Sequence, residues 1–260
     1  MRRFVPLIFV PLMSLLVLAG CASSLDPTKD WTPEKFYQEA KDRLNDSNYD
    51  EAIKLFEQLQ GRYPYGRYAE QAQLEIAYAQ YKYDEPGLAL AACDRFIRQY
   101  PTHPNVDYAY YLKGIVNFHG KKSFMNWLIG SEDDLHDRDV KATRESYESF
   151  KEVVQRFPNS RYAEDSRARM NYQFGVMARY EVSVARYYYQ RGAYVAAVNR
   201  TKFTLENFSR TPETEDALGI QTMAYKKMNM QKLYEDTLRV LSLNFPGSHY
   251  LEEIKALGNS

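Results

Sequence analysis

Cysteine is nearly absent from this chain, with two in 260 residues. Two cannot build a disulfide framework or, unaided, a zinc site. The four histidines, His103, His119, His136 and His249, stand at no i, i+3 or i+4 spacing from one another, so no metal and no cofactor is expected. No Gly-rich phosphate loop and no Gly-x-Ser-x-Gly elbow occurs, which removes the local signatures of nucleotide and serine chemistry. Net charge is missing too: 34 Lys and Arg balance 34 Asp and Glu. A nucleic-acid binder relying on bulk positive charge is thereby excluded. Glycine (12) and proline (11) are scarce, together about 9 % of the chain, which favours long regular elements over many tight turns. What is abundant is aromatic side chain, 15 % of residues, with 23 Tyr against 13 Phe. Tyrosine joins an apolar ring to a polar tip, so this surplus points to half-wet surfaces that bind something.

Arg2 and Arg3 precede an apolar stretch from Phe4 to Ala19 that is interrupted by Pro6 and Pro11. A charged start, a short apolar stretch and small residues at its end describe a secretory signal over residues 1–20, not a spanning helix. The following tetrad Leu18-Ala19-Gly20-Cys21 resembles the lipobox of bacterial lipoproteins, which implies acylation of Cys21. Removing the signal leaves 32 basic against 34 acidic residues. Each buried methylene of an acyl chain contributes about 0.8 kcal/mol, so several chains on Cys21 anchor the protein to a membrane firmly. Ala22 after the Cys, where Asp would favour inner-membrane retention, points to the periplasmic face of the outer membrane. Residues 21–32, rich in Ser, Asp, Pro and Lys, read as a lipidated tether.

Beyond the tether, helix signals recur. Thr32-Pro33-Glu34 supplies an N-cap, a proline at the first helical position and an early acid. A second helix opens at Asn48, with Glu51 at capping-box spacing, and must stop before Pro64. Within it Ala52, Phe56 and Leu59 share one face. The same grammar returns 37 residues later as Ala89, Cys93, Phe96 and Pro101. It returns again as Ser146, Phe150, Val153 and Pro158, loosely as Ala197, Thr201 and Thr204, and finally as Tyr234, Leu238, Leu241 and Pro246. Small residues Ala40, Ala77, Gly114 and Ala185 hold the matching position in the preceding helices, where two antiparallel helices approach closely. Tyr63 to Tyr68, Phe157 to Tyr162 and Phe245 to Tyr250 are three copies of one turn. This pattern resembles the tetratricopeptide repeat, a helix-turn-helix unit of about 34 residues that stacks into a superhelix. The predicted fold is therefore all-α, with about five such repeats.

Two departures shape the domain plan. Residues 33–119 hold repeats one and two and the first helix of repeat three, Val106 to His119. Residues 120–138 are an insertion, with Lys121 and Lys122, then Phe124, Met125, Trp127, Leu128 and Ile129, then Glu132, Asp133 and Asp134. It reads either as a docking loop or as a segment folded back into a local gap. Residues 139–260 hold the remainder, in which Ala163 to Gln190 reads as one helix of about 28 residues stopped at Arg191-Gly192. Its seam is expected along Met170, Phe174, Met177, Val184 and Tyr188, broken by Glu181.

Repeat stacks bind along the surface lined by the first helix of each pair. Register places Tyr37, Lys41, Leu74, Tyr78, Tyr81, Lys82, Tyr108, Tyr111 and Phe118 on or near that surface. They describe an aromatic groove with a few cations, suited to an extended or C-terminal peptide, although the same spacing serves packing between helices. Cys93 takes the place filled by Phe in sister repeats and is expected to be a core thiol.

Four stretches together are similar to the BamD family of outer-membrane β-barrel assembly lipoproteins, called competence lipoprotein in some bacteria. They are Asp94-Arg95-Phe96-Ile97-Arg98 with Tyr100 to Asn105, then Asp137-Arg138-Asp139, then Tyr180 to Ala185 with Arg191 to Tyr194, and Val198-Asn199-Arg200. The resemblance implies a non-enzymatic assembly factor. It implies N-terminal repeats that engage the aromatic-ended targeting signal of unfolded barrel proteins, and C-terminal repeats that dock on the barrel-forming subunit BamA and on further lipoproteins. It also implies a partner contact for Arg200, facing a carboxylate. The architecture alone equally suits a repeat scaffold for peptidoglycan or cell-division enzymes. A carboxylate-based hydrolase is a third reading, which nothing in the spacing requests.

Overall fold

The computed structural model describes residues 27–118 and 140–257; the signal, Cys21 and the insertion at 120–138 lie outside them. Among the described residues there are eleven helices. In chain order they are α1 (Pro33–Asn45), α2 (Tyr49–Arg62), α3 (Arg67–Lys82), α4 (Pro86–Gln99), α5 (Val106–Val116) and α6 (Val140–Arg156), then α7 (Ala163–Gln190), α8 (Tyr194–Asn207), α9 (Glu213–Lys227), α10 (Gln231–Asn244) and α11 (Tyr250–Ala256). Each helix from α1 to α9 packs on the next, making five antiparallel pairs, and α11 packs back on α9. First helices also touch the next first helix (α1 with α3, α3 with α5, α7 with α9, α9 with α11), whereas second helices make no comparable contact with one another. Rows that approach on one side only must curve toward that side, which puts the first helices on the inner face.

The repeat register sets the core. Ala52, Phe56, Leu59, Ala89, Cys93, Phe96, Phe150, Val153, Ala197 and Leu241 are all fully buried, as are Ser146, Thr201 and Thr204. Each large one contributes about 1.5–3 kcal/mol by leaving water. The polar members satisfy themselves at short range: Ser146 Oγ donates to the Gly114 carbonyl at 2.7 Å, Thr201 Oγ1 to Val198 and Thr204 Oγ1 to Arg200. Tyr234 and Leu238 in the last pair are only partly buried, because among the described residues no further second helix covers them. Ala40, Ala77 and Ala185 are fully buried at the helix crossings. At Gly114 an added Cβ would sit 2.6 Å from the Phe150 ring, so that crossing admits no side chain.

Caps follow the sequence with one exception. Thr32 Oγ1 accepts from Lys35 N at 3.3 Å, as its position requires. Asn48 makes no cap; its amide instead donates to Glu51 Oε2 at 2.6 Å, so the capping box is not formed. The 28-residue α7 ends as expected, with Gly192 at φ +75° and Ala193 N bonded back to Tyr188 O. Its seam differs from expectation. The buried residues are Tyr172, Gln173, Val176, Met177, Ala178, Glu181, Val182 and Ala185, because α7 is gripped by α6 along one length and by α8 and α9 along the other. The first helix of repeat three closes at Val116, earlier than its sequence suggests.

The expected tether over residues 21–32 is also shorter. Thr28 is buried, its carbonyl and hydroxyl taken by Arg62, while Tyr63 Oη donates to the Trp31 carbonyl at 2.8 Å. Trp31 lies edge-on to Phe36 with Lys35 over its ring. One arginine and one aromatic thus pin residues 28–31 to the first repeat.

Candidate functional site

The three copies of the turn each deliver a tyrosine against the inner helix behind it. Tyr68 packs on Tyr37, ring centroids 5.5 Å apart. Tyr162 stacks on Tyr111 at 4.6 Å and 20°, and its far edge meets Tyr108 at 5.4 Å. In both turns the preceding arginine, Arg67 or Arg161, lies over the tyrosine ring at 4.7 Å and donates to its hydroxyl. Between these two aromatic walls the same pair of positions carries Leu74 and Asn105, which are too small to stack. A groove of about 690 Å3 opens there.

Five of the nine residues expected in the groove line it: Tyr37, Lys41, Leu74, Tyr78 and Tyr108. Tyr111 stands behind Tyr162 and supports that wall, its hydroxyl donating to Asp165 at 2.8 Å. Burial and that carboxylate push the Tyr111 phenol up to about 12. The other three expectations need correction. Phe118 is a core residue between Phe150 and Tyr172. Tyr81 packs against the buried cluster of Ala77, Cys93 and Leu112. Lys82 is the last residue of α3 and does not line the groove. Spacing identified the inner face but not how far along each helix the neighbouring repeat covers it.

Nine lining residues had no place among the groove positions expected from sequence, Glu75, Asp107, Ser160, Arg161 and Tyr162 among them. Tyr162 was legible as part of the repeated turn; the acids were not. Glu75 Oε1 accepts from Tyr37 Oη at 3.1 Å and from Lys41 Nζ at 3.0 Å. Burial and then the Glu75 charge hold the Tyr37 phenol well above its ordinary range. Asp107 accepts from Ser160 Oγ at 2.6 Å, tying the turn to α5. Tyr108 is pushed up mainly by burial and then by Glu75. The groove is therefore a neutral-phenol surface with its acids already bonded. It can stack rings and donate hydrogen bonds.

Arg200 lies elsewhere, on α8, where its guanidinium pairs with Glu181 Oε2 at 2.9 Å. Glu181 is buried on α7, so the charge that interrupts the α7 pattern is satisfied within the chain. Exposed large hydrophobic side chains concentrate in the same half: among the described residues seven of ten, Tyr187, Val195, Phe203, Met230, Leu233, Val240 and Leu243, lie beyond residue 186. Cys93 is fully buried and its thiol is pushed up to about 12 by burial and then by Asp94, which keeps it protonated and inert. Among the described residues no three His, Cys, Asp or Glu side chains gather as metal ligands, and no helix is long and apolar enough to cross a membrane.

The chain matches the family described as outer membrane lipoprotein, YfiO, over residues 29–241. It is 49 % identical over 244 residues to an outer membrane protein assembly factor BamD of Neisseria meningitidis serogroup B, covering 92 % of this chain and 91 % of the relative. The BamD of Vibrio cholerae is 36 % identical over 233 residues, covering 90 % and 96 %. A solved MamA protein overlays with a TM-score of 0.33 at 13 % identity, over 85 % of this chain and 89 % of that one, too loosely to add to the helix pairing described above. The matches with the assembly factors span about nine-tenths of this chain. The chain belongs to the BamD family of outer-membrane protein assembly factors.

Proposed function

We propose that this chain is the lipid-anchored subunit of a β-barrel assembly complex on the periplasmic face of the outer membrane. Its groove takes the C-terminal targeting signal of an unfolded barrel protein, and its last two repeats dock on the barrel-forming subunit BamA and on further lipoproteins. The observation that carries the reading is the gap between the two tyrosine walls. A barrel strand presents alternating side chains and an aromatic end. Rings at Tyr37, Tyr108 and Tyr162 stack on such an end without demanding one sequence, and the Tyr108 and Tyr162 hydroxyls can donate to backbone carbonyls.

The short tether supports the same picture. From an acylated Cys21 to the buried Thr28 the chain reaches no more than about 25 Å, so repeat one is held beside the bilayer. A signal bound in the groove is thereby kept close to the surface it must enter. The exposed apolar side chains of α8 and α10 supply area for a partner, and Arg200 lies among them with Glu181 behind it.

Gentle detergent extraction tests this directly. The chain is expected to co-purify with a large heat-modifiable barrel protein, and its depletion to reduce folded porins; normal porin levels after depletion would overturn the assignment. Co-purification with cell-wall synthases and an unaffected barrel complex would favour the scaffold instead. For Arg200 the informative change is Arg200→Gln, since Arg200→Glu sets two carboxylates together and perturbs the fold itself. Unchanged co-purification of Arg200→Gln removes that residue from the interface.

A further inference from the structure

The donors of the groove are divided unequally between its two ends. At the α1–α3 end, Lys41 and Tyr37 both spend their protons on Glu75 Oε1, at 3.0 and 3.1 Å. A carboxylate arriving there meets an acid already in place. At the opposite end the acid, Asp107, is taken by Ser160 Oγ at 2.6 Å. Arg161 on that rim touches the ring and hydroxyl of Tyr162; it feels the Asp107 charge but makes no direct ion pair with a carboxylate among the described residues. The Tyr108 hydroxyl and the side-chain amides of Asn105 and Asn159, all lining the same end, find no hydrogen-bond partner among the described residues. Each end holds one acid and one cation: Lys41 and Glu75 are joined in a direct ion pair, whereas Arg161 and Asp107 are not, which leaves the Arg161 N–H groups and three polar side chains uncommitted.

Resting on the peptide reading above, we infer that the groove is directional: the terminal carboxylate of the bound peptide pairs with Arg161, its last aromatic ring lies on Tyr108, and the chain runs back toward Tyr37. An arginine held flat on a tyrosine keeps its outer N–H edge free, which suits a carboxylate's two oxygens. At the far end Lys41 is already held by Glu75, so a carboxylate arriving there would have to displace that ion pair, while the Tyr37 ring stays available.

The test uses a nonapeptide of alternating polar and apolar residues ending in Phe, made as the free acid and as the C-terminal amide. Its affinity for the full chain is read by fluorescence anisotropy, and its position by a photoreactive group on the terminal ring. The acid should bind about fivefold more tightly than the amide, the size of one charge-assisted contact at a solvated rim. Arg161→Gln should bring that ratio to one, while Lys41→Gln leaves it unchanged and the label still reaches Tyr108. Arg161 is fully exposed, so Arg161→Gln leaves the fold intact. Equal binding of acid and amide to the wild-type chain, with labelling at Tyr108, would overturn the directional inference and leave the groove reading standing. A ratio lost in Lys41→Gln but kept in Arg161→Gln would reverse the direction and overturn it. Absence of any labelling in the groove would overturn both.

Discussion

The same turn closes the molecule at one end and leaves it open at the other. Near the N-terminus its tyrosine meets another tyrosine, as Tyr68 on Tyr37 and Tyr162 on Tyr111, and the rings stand up as walls. At the C-terminus Tyr250 meets Gly219, where a Cβ would lie 2.2 Å from its ring. The absent side chain lets Tyr250 sink to 1 % exposure and bond to Asp216 at 2.6 Å, with Arg186 at 3.0 Å. So the partner residue, not the turn, decides between a binding surface and a sealed end. At the second interface Leu74 and Asn105 supply neither outcome, and the gap is the groove. Exposed apolar area shows the reverse distribution, gathered on α8 and α10, which separates a concave groove in the first half from an exposed apolar face in the second.

The contrast can be broken most completely with alkali. Phenols that ionise near 10 in the unfolded chain hold their protons in the folded one, Tyr111 to about 12 and Tyr37, Tyr108 and Tyr250 beyond their ordinary range. The unfolded state then loses protons first, so stability is complete below about pH 10 and falls as pH rises toward 12. Three of these four tyrosines, together with the Cys93 thiol, belong to the first three repeats. Hydrogen exchange at rising pH should therefore open α1–α5 before α9–α11; simultaneous loss would argue against uneven dependence.

Gly219→Ala attacks the closed end. Tyr250 is held by two partners and cannot retreat, so the substitution is expected to cost about 1–3 kcal/mol in a urea titration. An unchanged midpoint would mean that Tyr250 is not seated as described. Arg200→Glu comes next, at about 1–3 kcal/mol, because it leaves the buried Glu181 unpaired and opposes it with a second acid. Arg200→Gln should cost less than half of that, and a reversed order of the two would remove the ion pair from the account.

Much of this was legible in the residues. The 37-residue recurrence located the buried face of nearly every second helix, because a repeat must bury the same positions against each neighbour. Cys93 in the place of Phe56, and α7 running unbroken to Gly192, were readable for the same reason. The groove was only half legible. Tyr37, Tyr78 and Tyr108 follow from helix register, but Phe118 shares that register and is core, since α6 and α7 cover it. Glu75 and Asp107 were invisible because their roles depend on residues 38 and 53 positions away. Arg200 was readable as notable, while its pairing with Glu181 needed α7 and α8 side by side.

The central claim is that a missing tyrosine at the second interface makes the groove, and Asn105→Tyr tests it most directly. Asn105 is exposed, and its place in the turn is the one that Tyr68, Tyr162 and Tyr250 occupy in theirs. The new ring fills the gap from its rim, so stability should stay within about 0.5 kcal/mol of wild type. Binding of an aromatic-ended peptide, measured by fluorescence anisotropy, should fall at least about tenfold, the loss expected when one buried stacking surface is occupied. A stable Asn105→Tyr chain that binds the peptide as well as wild type would contradict the account.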